Sequence, residues 1–81
     1  MSSVIAPGST IGILGAGQLG RMLAISARQM GYRVAVFGGD RTSPCGQVSD
    51  TAWTGSYTDE DLLREFSTAC DVVTYEFENI P

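Results

Sequence analysis

The sequence contains no lysine and no histidine; its only cationic side chains are five arginines, set against nine acids, for a formal charge of −4 over 81 residues. Without a basic stripe to displace counterions from a phosphate backbone, nucleic acid is not an expected partner. The missing lysines and histidines also remove the usual general base, the imidazole metal ligand and the lysine that grips ATP phosphates. Phosphoryl chemistry by this chain alone is therefore not expected. Cysteine is scarce: Cys45 and Cys70 stand far apart, with no CxxC pairing, so a zinc site and a redox motif are both disfavoured and the two thiols read as reduced packing residues. Long apolar runs are missing too, none approaching the roughly 20 residues of a membrane span. Met1 to Thr10 carries no positive n-region and is broken by Pro7 and Gly8, which argues against a signal peptide. A cytoplasmic protein without a membrane partner is the expectation.

A chain this short has room for one domain, and it buries only about 60–65% of its unfolded surface. Residues 1–9 read as a flexible leader and residues 10–81 as the domain. Thr10 to Gly15 (TIGILG) form a short apolar strand ending in glycine. From Gln18 the period changes: Leu19, Met22, Leu23, Ala27 and Met30 recur at three- and four-residue intervals, and Gly31 is placed for a left-handed cap, so an amphipathic helix is predicted. Arg33 to Gly38 make a second strand whose continuous apolarity suits a parallel strand covered on both faces. Gly38 to Asp50 is rich in Gly, Ser, Thr and Asp around Pro44 and reads as loop with room for one helical turn. A short strand is expected at Ala52 to Thr54. Thr58 offers an N-cap hydroxyl before Asp59, Glu60 and Asp61, and Leu62, Leu63, Phe66 and Ala69 continue at helical spacing. Asp71 to Tyr75 closes the pattern as a β-branched strand. Strand and helix alternate throughout, so the fold class is α/β: a three-layer, Rossmann-like arrangement on a short parallel sheet of expected order 3-2-1-4. That order opens a crevice beyond the carboxyl ends of strands 1 and 4.

Two segments point into the crevice. The first is Gly15-Ala16-Gly17-Gln18-Leu19-Gly20, a GxGxxG pattern after a strand and at the start of a helix, where backbone N–H groups and the helix dipole converge on an anion. Gly15 permits the turn, Gly17 lets a ligand approach the backbone, and Gly20 lets helix and strand pack closely. The second is Tyr75-Glu76-Phe77-Glu78-Asn79. A dinucleotide reading requires an acid at the end of strand 2; Asp40 lies near that place but follows Gly38-Gly39 and precedes Arg41. An NAD(P)-binding domain of an oxidoreductase and a non-catalytic interaction module both stay open on these residues. Arg21 and Arg28 read as solvated charges on an outer helix face, with Arg21 within reach of a phosphate at the helix start. Phe37, Trp53, Tyr57, Phe66 and Phe77 read as packing, since no basic residues interleave with them.

Three separated segments agree with one family pattern: Ile13 to Leu23 (ILGAGQLGRML), Ser43-Pro44 with Gln47 to Asp50 (QVSD), and Asp71 to Pro81 (DVVTYEFENIP). Together they resemble the 5-(carboxyamino)imidazole ribonucleotide synthase family of ATP-grasp ligases, across essentially all of residues 10–81. The resemblance implies a truncated, amino-terminal preATP-grasp domain. It implies that the longer ligase uses ATP, Mg2+ and bicarbonate to carboxylate aminoimidazole ribonucleotide in purine biosynthesis, with the ATP and metal sites outside these residues and no cofactor bound to them. By the same resemblance, Gln18, Leu19 and Glu76 contact the substrate; Gly15, Gly17 and Gly20 are the phosphate loop read from the GxGxxG pattern, and no residue here is assigned a catalytic role. Glu78 and Asn79 are assigned loop-supporting hydrogen bonds. A homo-oligomer, a dimer in the simplest case, is expected because the final strand presents an edge that readily pairs with another chain.

Overall fold

The computed structural model describes residues 8–15, 17–38 and 42–75. Strand β1 (Thr10–Leu14) leads to helix α1 (Gln18–Gln29), strand β2 (Arg33–Phe37), a single 3-10 turn at Gly46–Val48, strand β3 (Thr51–Trp53), helix α2 (Glu60–Ala69) and strand β4 (Val72–Tyr75). The sheet is parallel throughout and ordered β3-β2-β1-β4, as the alternation of elements predicted. Of the expected leader, 1–7 lie outside the described residues. At its end the Gly8 N–H donates to the Gly31 carbonyl at 2.9 Å, and Ser9 accepts from the Arg33 N–H at 2.9 Å.

Period-two alternation divides the strands between two cores. Toward α1, Ile13, Val34 and Val36 pack with Ala24, Ala27 and Cys45; toward α2, Ala35 and Phe37 pack with Phe66, flanked by Leu14, Trp53 and Val73. The aromatic residues behave as packing groups: Phe66 meets Phe37 and Trp53 edge-on at centroid separations of 5.4 and 5.5 Å, and Phe37 meets Tyr57 at 5.6 Å. Phe77 lies outside the described residues.

Three local expectations are corrected. In α1 the buried positions are Gly20, Ala24 and Ala27, whereas Met22 and Met30 are more than 60% exposed. Small residues let a helix axis sit close to a sheet, so this helix docks through its smallest side chains and not its largest. In α2 the N-cap is Asp59 instead of Thr58: the Asp59 carboxylate accepts from the Leu62 N–H at 3.1 Å, while the Thr58 N–H is held by Ser56 Oγ. A carboxylate cap adds charge to hydrogen bonding at the positive helix end, and such a cap contributes about 1 kcal/mol. Finally, Arg21 and Arg28 are not free surface charges, because both reach across to the segment between β2 and β3. Arg21 Nη1 donates to the Pro44 carbonyl at 3.3 Å and to Gln47 Oε1 at 3.4 Å; Arg28 donates to the Val48 carbonyl at 3.3 Å and pairs with Asp50 at 3.5 Å.

Matching aspartates pin the amino edge of the sheet. Asp71 accepts from the Thr10 N–H at 2.7 Å and returns its own N–H to the Thr10 carbonyl at 2.8 Å. Asp50 does the same with Val34, at 2.8 Å in both directions. Each acid prolongs a parallel ladder by a side-chain bond and so fixes the register of the strand that follows it.

Candidate ligand site at the glycine turn

The glycine turn leaves β1 at the carboxyl edge of the sheet. Gly15 is buried, has φ +120°, and donates its N–H to the Phe37 carbonyl at 3.0 Å, which continues the β1–β2 ladder by one bond. A left-handed φ of that size is strained for any residue with a side chain, so glycine is required here. Gly17 is the N-cap of α1 and its carbonyl takes the first helical bond, from the Arg21 N–H at 3.0 Å. Gly20 faces inward: a Cβ there would stand 2.9 Å from the Gly15 carbonyl oxygen and 3.3 Å from Cys45 Sγ. The turn and the first helical residues are therefore in close contact with each other.

The two helices treat their amino ends in opposite ways. Helix α2 starts with the Asp59 cap and has Glu60 and Asp61 in its first turn, so its positive end is answered by its own carboxylates. Helix α1 has no side-chain cap and no acid in its first turn. The N–H groups of Gln18, Leu19 and Gly20 have no intrahelical partner by geometry, and the exposed side chains of Gln18 and Leu19 flank them. This arrangement can receive an anionic group through backbone donors and the helix dipole.

Register brings Tyr75, the first residue of the second segment, to the same edge. Tyr75 pairs with Leu14, the residue before Gly15, in the β1–β4 ladder. Glu76, Glu78 and Asn79 lie outside the described residues, as do Asp40 and Arg41, the residues on which the dinucleotide reading turns. The chain belongs to the ribonucleotide synthetase preATP-grasp domain family, whose model matches residues 8–81. The N5-carboxyaminoimidazole ribonucleotide synthase of Bacillus subtilis is 53% identical over 77 residues, which make up 95% of this chain and 20% of that protein. The Staphylococcus aureus N5-carboxyaminoimidazole synthetase, solved with ADP, superposes with a TM-score of 0.86 at 47% identity, covering 95% of this chain and 21% of that one. The Aspergillus clavatus enzyme, solved with ADP and 5-aminoimidazole ribonucleotide, gives 0.77 at 41% identity, covering 91% of this chain and 20% of that one. The chain thus spans about a fifth of the length of the curated relatives it matches.

One residue at this edge was read from sequence only as packing. The Tyr57 hydroxyl donates to the Phe37 carbonyl at 3.2 Å, the same oxygen that accepts from Gly15, and a Cβ on Gly38, which has φ +117°, would run into that hydroxyl. Burial raises the Tyr57 phenol above its ordinary value, keeping it a donor. The spacing of Gly38 and Tyr57 carries no local signal for this contact, which arises only when β2 and the segment before α2 meet. Burial also raises Cys45, offset in part by the Ser49 hydroxyl, and raises Cys70, with Asp71 adding to the effect. Both thiols are free, Cys45 buried and Cys70 half-buried. Among the described residues, no group of three or more His, Cys, Asp or Glu stands together as a metal site.

Proposed function

We propose that this segment supplies part of the ribonucleotide site of an ATP-dependent carbon–nitrogen ligase that carboxylates 5-aminoimidazole ribonucleotide with bicarbonate. The observation that carries the reading is the uncapped start of α1 behind the glycine turn, in a chain whose relatives include a ligase solved with that ribonucleotide. In this reading the turn at Gly15, Gly17 and Gly20 and the amides of Gln18 and Leu19 take an anionic group of the substrate. Glu76 follows β4 and accepts hydrogen bonds from ribose hydroxyls or the ring amine, since a carboxylate would repel phosphate. The chain itself positions substrate; ATP and Mg2+ act at sites on other parts of the ligase, because no lysine and no described acid cluster here suits them. The protein is cytoplasmic in this reading, consistent with the absence of any described helix long and apolar enough to cross a membrane.

Self-association belongs to the same proposal. Strand β4 is an edge of the described sheet, and Val72 on it is 40% exposed. Such an edge offers unpaired N–H and C=O groups to a second strand.

The substrate reading is tested in a ligase carrying this segment. Glu76→Ala is expected to lower kcat/KM for the ribonucleotide roughly ten- to a hundredfold, the effect of about 1.5–3 kcal/mol for a charged hydrogen bond, and to leave the KM for ATP near its starting value. Equal losses for both substrates, or none, would remove Glu76 from the site.

A further inference from the structure

The segment between β2 and β3 joins two parallel strands, a task usually given to a helix. Here its described residues 42–50 form a self-braced loop around the 3-10 turn. Ser43 Oγ accepts from the Gly46 N–H at 3.0 Å, the Ser43 carbonyl accepts from the Gln47 N–H at 3.0 Å, Gln47 Nε2 donates to the Thr42 carbonyl at 3.0 Å, and Ser49 Oγ donates to the Cys45 carbonyl at 2.8 Å. Inside this brace Cys45 is fully buried and turned toward Gly20, which itself lies against the Gly15 carbonyl. The back of the glycine turn therefore rests on the loop. Two arginines of α1 hold the loop in place: Arg28 at its end, through Val48 and Asp50, and Arg21 beside the turn, through Pro44 and Gln47.

We propose that Arg21 is a positioning residue for the glycine turn: by tying Pro44 and Gln47 to the first turn of α1, it seats Cys45 behind Gly20 and fixes the backbone amides that meet the ligand. The ligand half of this statement rests on the function proposed above; the coupling between loop and turn does not. The alternative role for an arginine at a helix start is a direct contact with the anion. The direction of the Arg21 guanidinium, toward a carbonyl and an amide oxygen of the loop, favours the bracing role.

The test uses the 81-residue chain labelled with nitrogen-15, as wild type, Arg21→Ala, Gln47→Ala and the double variant. Amide exchange is read without ligand at Gly15 and at position 21, whose N–H groups bond to Phe37 and Gly17, with the Ala35 to Phe37 amides of β2 as the control. Affinity for 5-aminoimidazole ribonucleotide is read by titration. Each single variant removes two hydrogen bonds, one of them shared between the two residues, so bracing predicts that each speeds exchange at the turn roughly five- to tenfold, with β2 unchanged and the double variant below the product of the two single effects. Ribonucleotide affinity should fall in parallel, for Gln47→Ala as well. A silent Gln47→Ala beside a weakened Arg21→Ala would show the guanidinium acting on the ligand directly, and would overturn the proposal. So would unchanged exchange at the turn, or a rise that spreads equally over β2. If the wild-type chain binds no ribonucleotide, the function reading fails, while the exchange pattern still decides the bracing.

Discussion

Gly20→Ala sets two effects of known size against each other. Alanine exceeds glycine in helix propensity by about 1 kcal/mol, so on propensity alone the substitution stabilises α1. Against this, the new methyl would lie 2.9 Å from the Gly15 carbonyl oxygen, 3.3 Å from Cys45 Sγ and 3.5 Å from Cys45 Cβ. The nearest of these atoms belongs to the backbone of the turn, which cannot rotate away as a side chain can. Overpacking of this kind costs about 1–3 kcal/mol, so the clash outweighs the propensity and the variant should be less stable by about 1 kcal/mol. For a domain this small that lowers Tm by roughly 4–8 °C, readable by circular dichroism, with urea unfolding as an independent measure. Because the strain falls on the Gly15 carbonyl, the turn should also lose ligand affinity. Trimming the loop with Cys45→Ala removes the contact at 3.3 Å but not the one at 2.9 Å, so Gly20→Ala should still destabilise in that background. A higher Tm for Gly20→Ala, in line with propensity alone, would refute the close packing of turn, helix and loop.

Alkaline pH and concentration provide two further tests. Tyr57, Cys45 and Cys70 are all raised by burial in the folded chain, so each favours folding while protonated. The unfolded chain releases these protons first, and stability should decline as pH climbs through about 8.5–10 and beyond, where free thiols and phenols titrate. A variant carrying Tyr57→Phe, Cys45→Ala and Cys70→Ala should start from lower stability yet show a flatter alkaline limb in urea unfolding; an unchanged slope would contradict the assignment. Sedimentation equilibrium at several tens of micromolar should show a dimer formed through β4, and a clean monomer with protected β4 amides would remove the self-association reading.

The order of strands was legible because it follows from local signals: a glycine-bounded apolar run, a helical period, then β-branched runs, with α1 and α2 supplying two of the three crossovers and the segment between β2 and β3 the third. The glycine turn was legible for the same reason, its residues being consecutive. What escaped the sequence depends on contacts between distant residues. Arg21 and Arg28 look like surface charges on a helical wheel, and only the path of the β2–β3 segment gives them Pro44, Gln47, Val48 and Asp50 as partners. On the buried face of α1, Gly20 and Ala27 were legible, but Leu19, Met22 and Met30 were misplaced because they carry the most apolar area, while close docking on a sheet selects for small size, as at Ala24. The cap of α2 moved by one residue because Thr58 and Asp59 are both good N-caps, and Ser56 engages Thr58 through both its N–H and its hydroxyl. Tyr57 was hidden for a different reason: its partner is a backbone carbonyl, which no side-chain pattern reveals.

In the proposed function the open amino end of α1 receives the ribonucleotide. The most direct test is a nitrogen-15 titration of the 81-residue chain with 5-aminoimidazole ribonucleotide, with ADP and NAD(P) as competitors of different class. Saturable shifts concentrated at the Gly15, Gly17, Gln18 and Leu19 amides are expected with the ribonucleotide, larger than with ADP or NAD(P), with little change at the capped start of α2. Saturation of those same amides by NAD(P) at lower concentration than by the ribonucleotide, or ribonucleotide shifts confined to other parts of the chain, would contradict that role for α1.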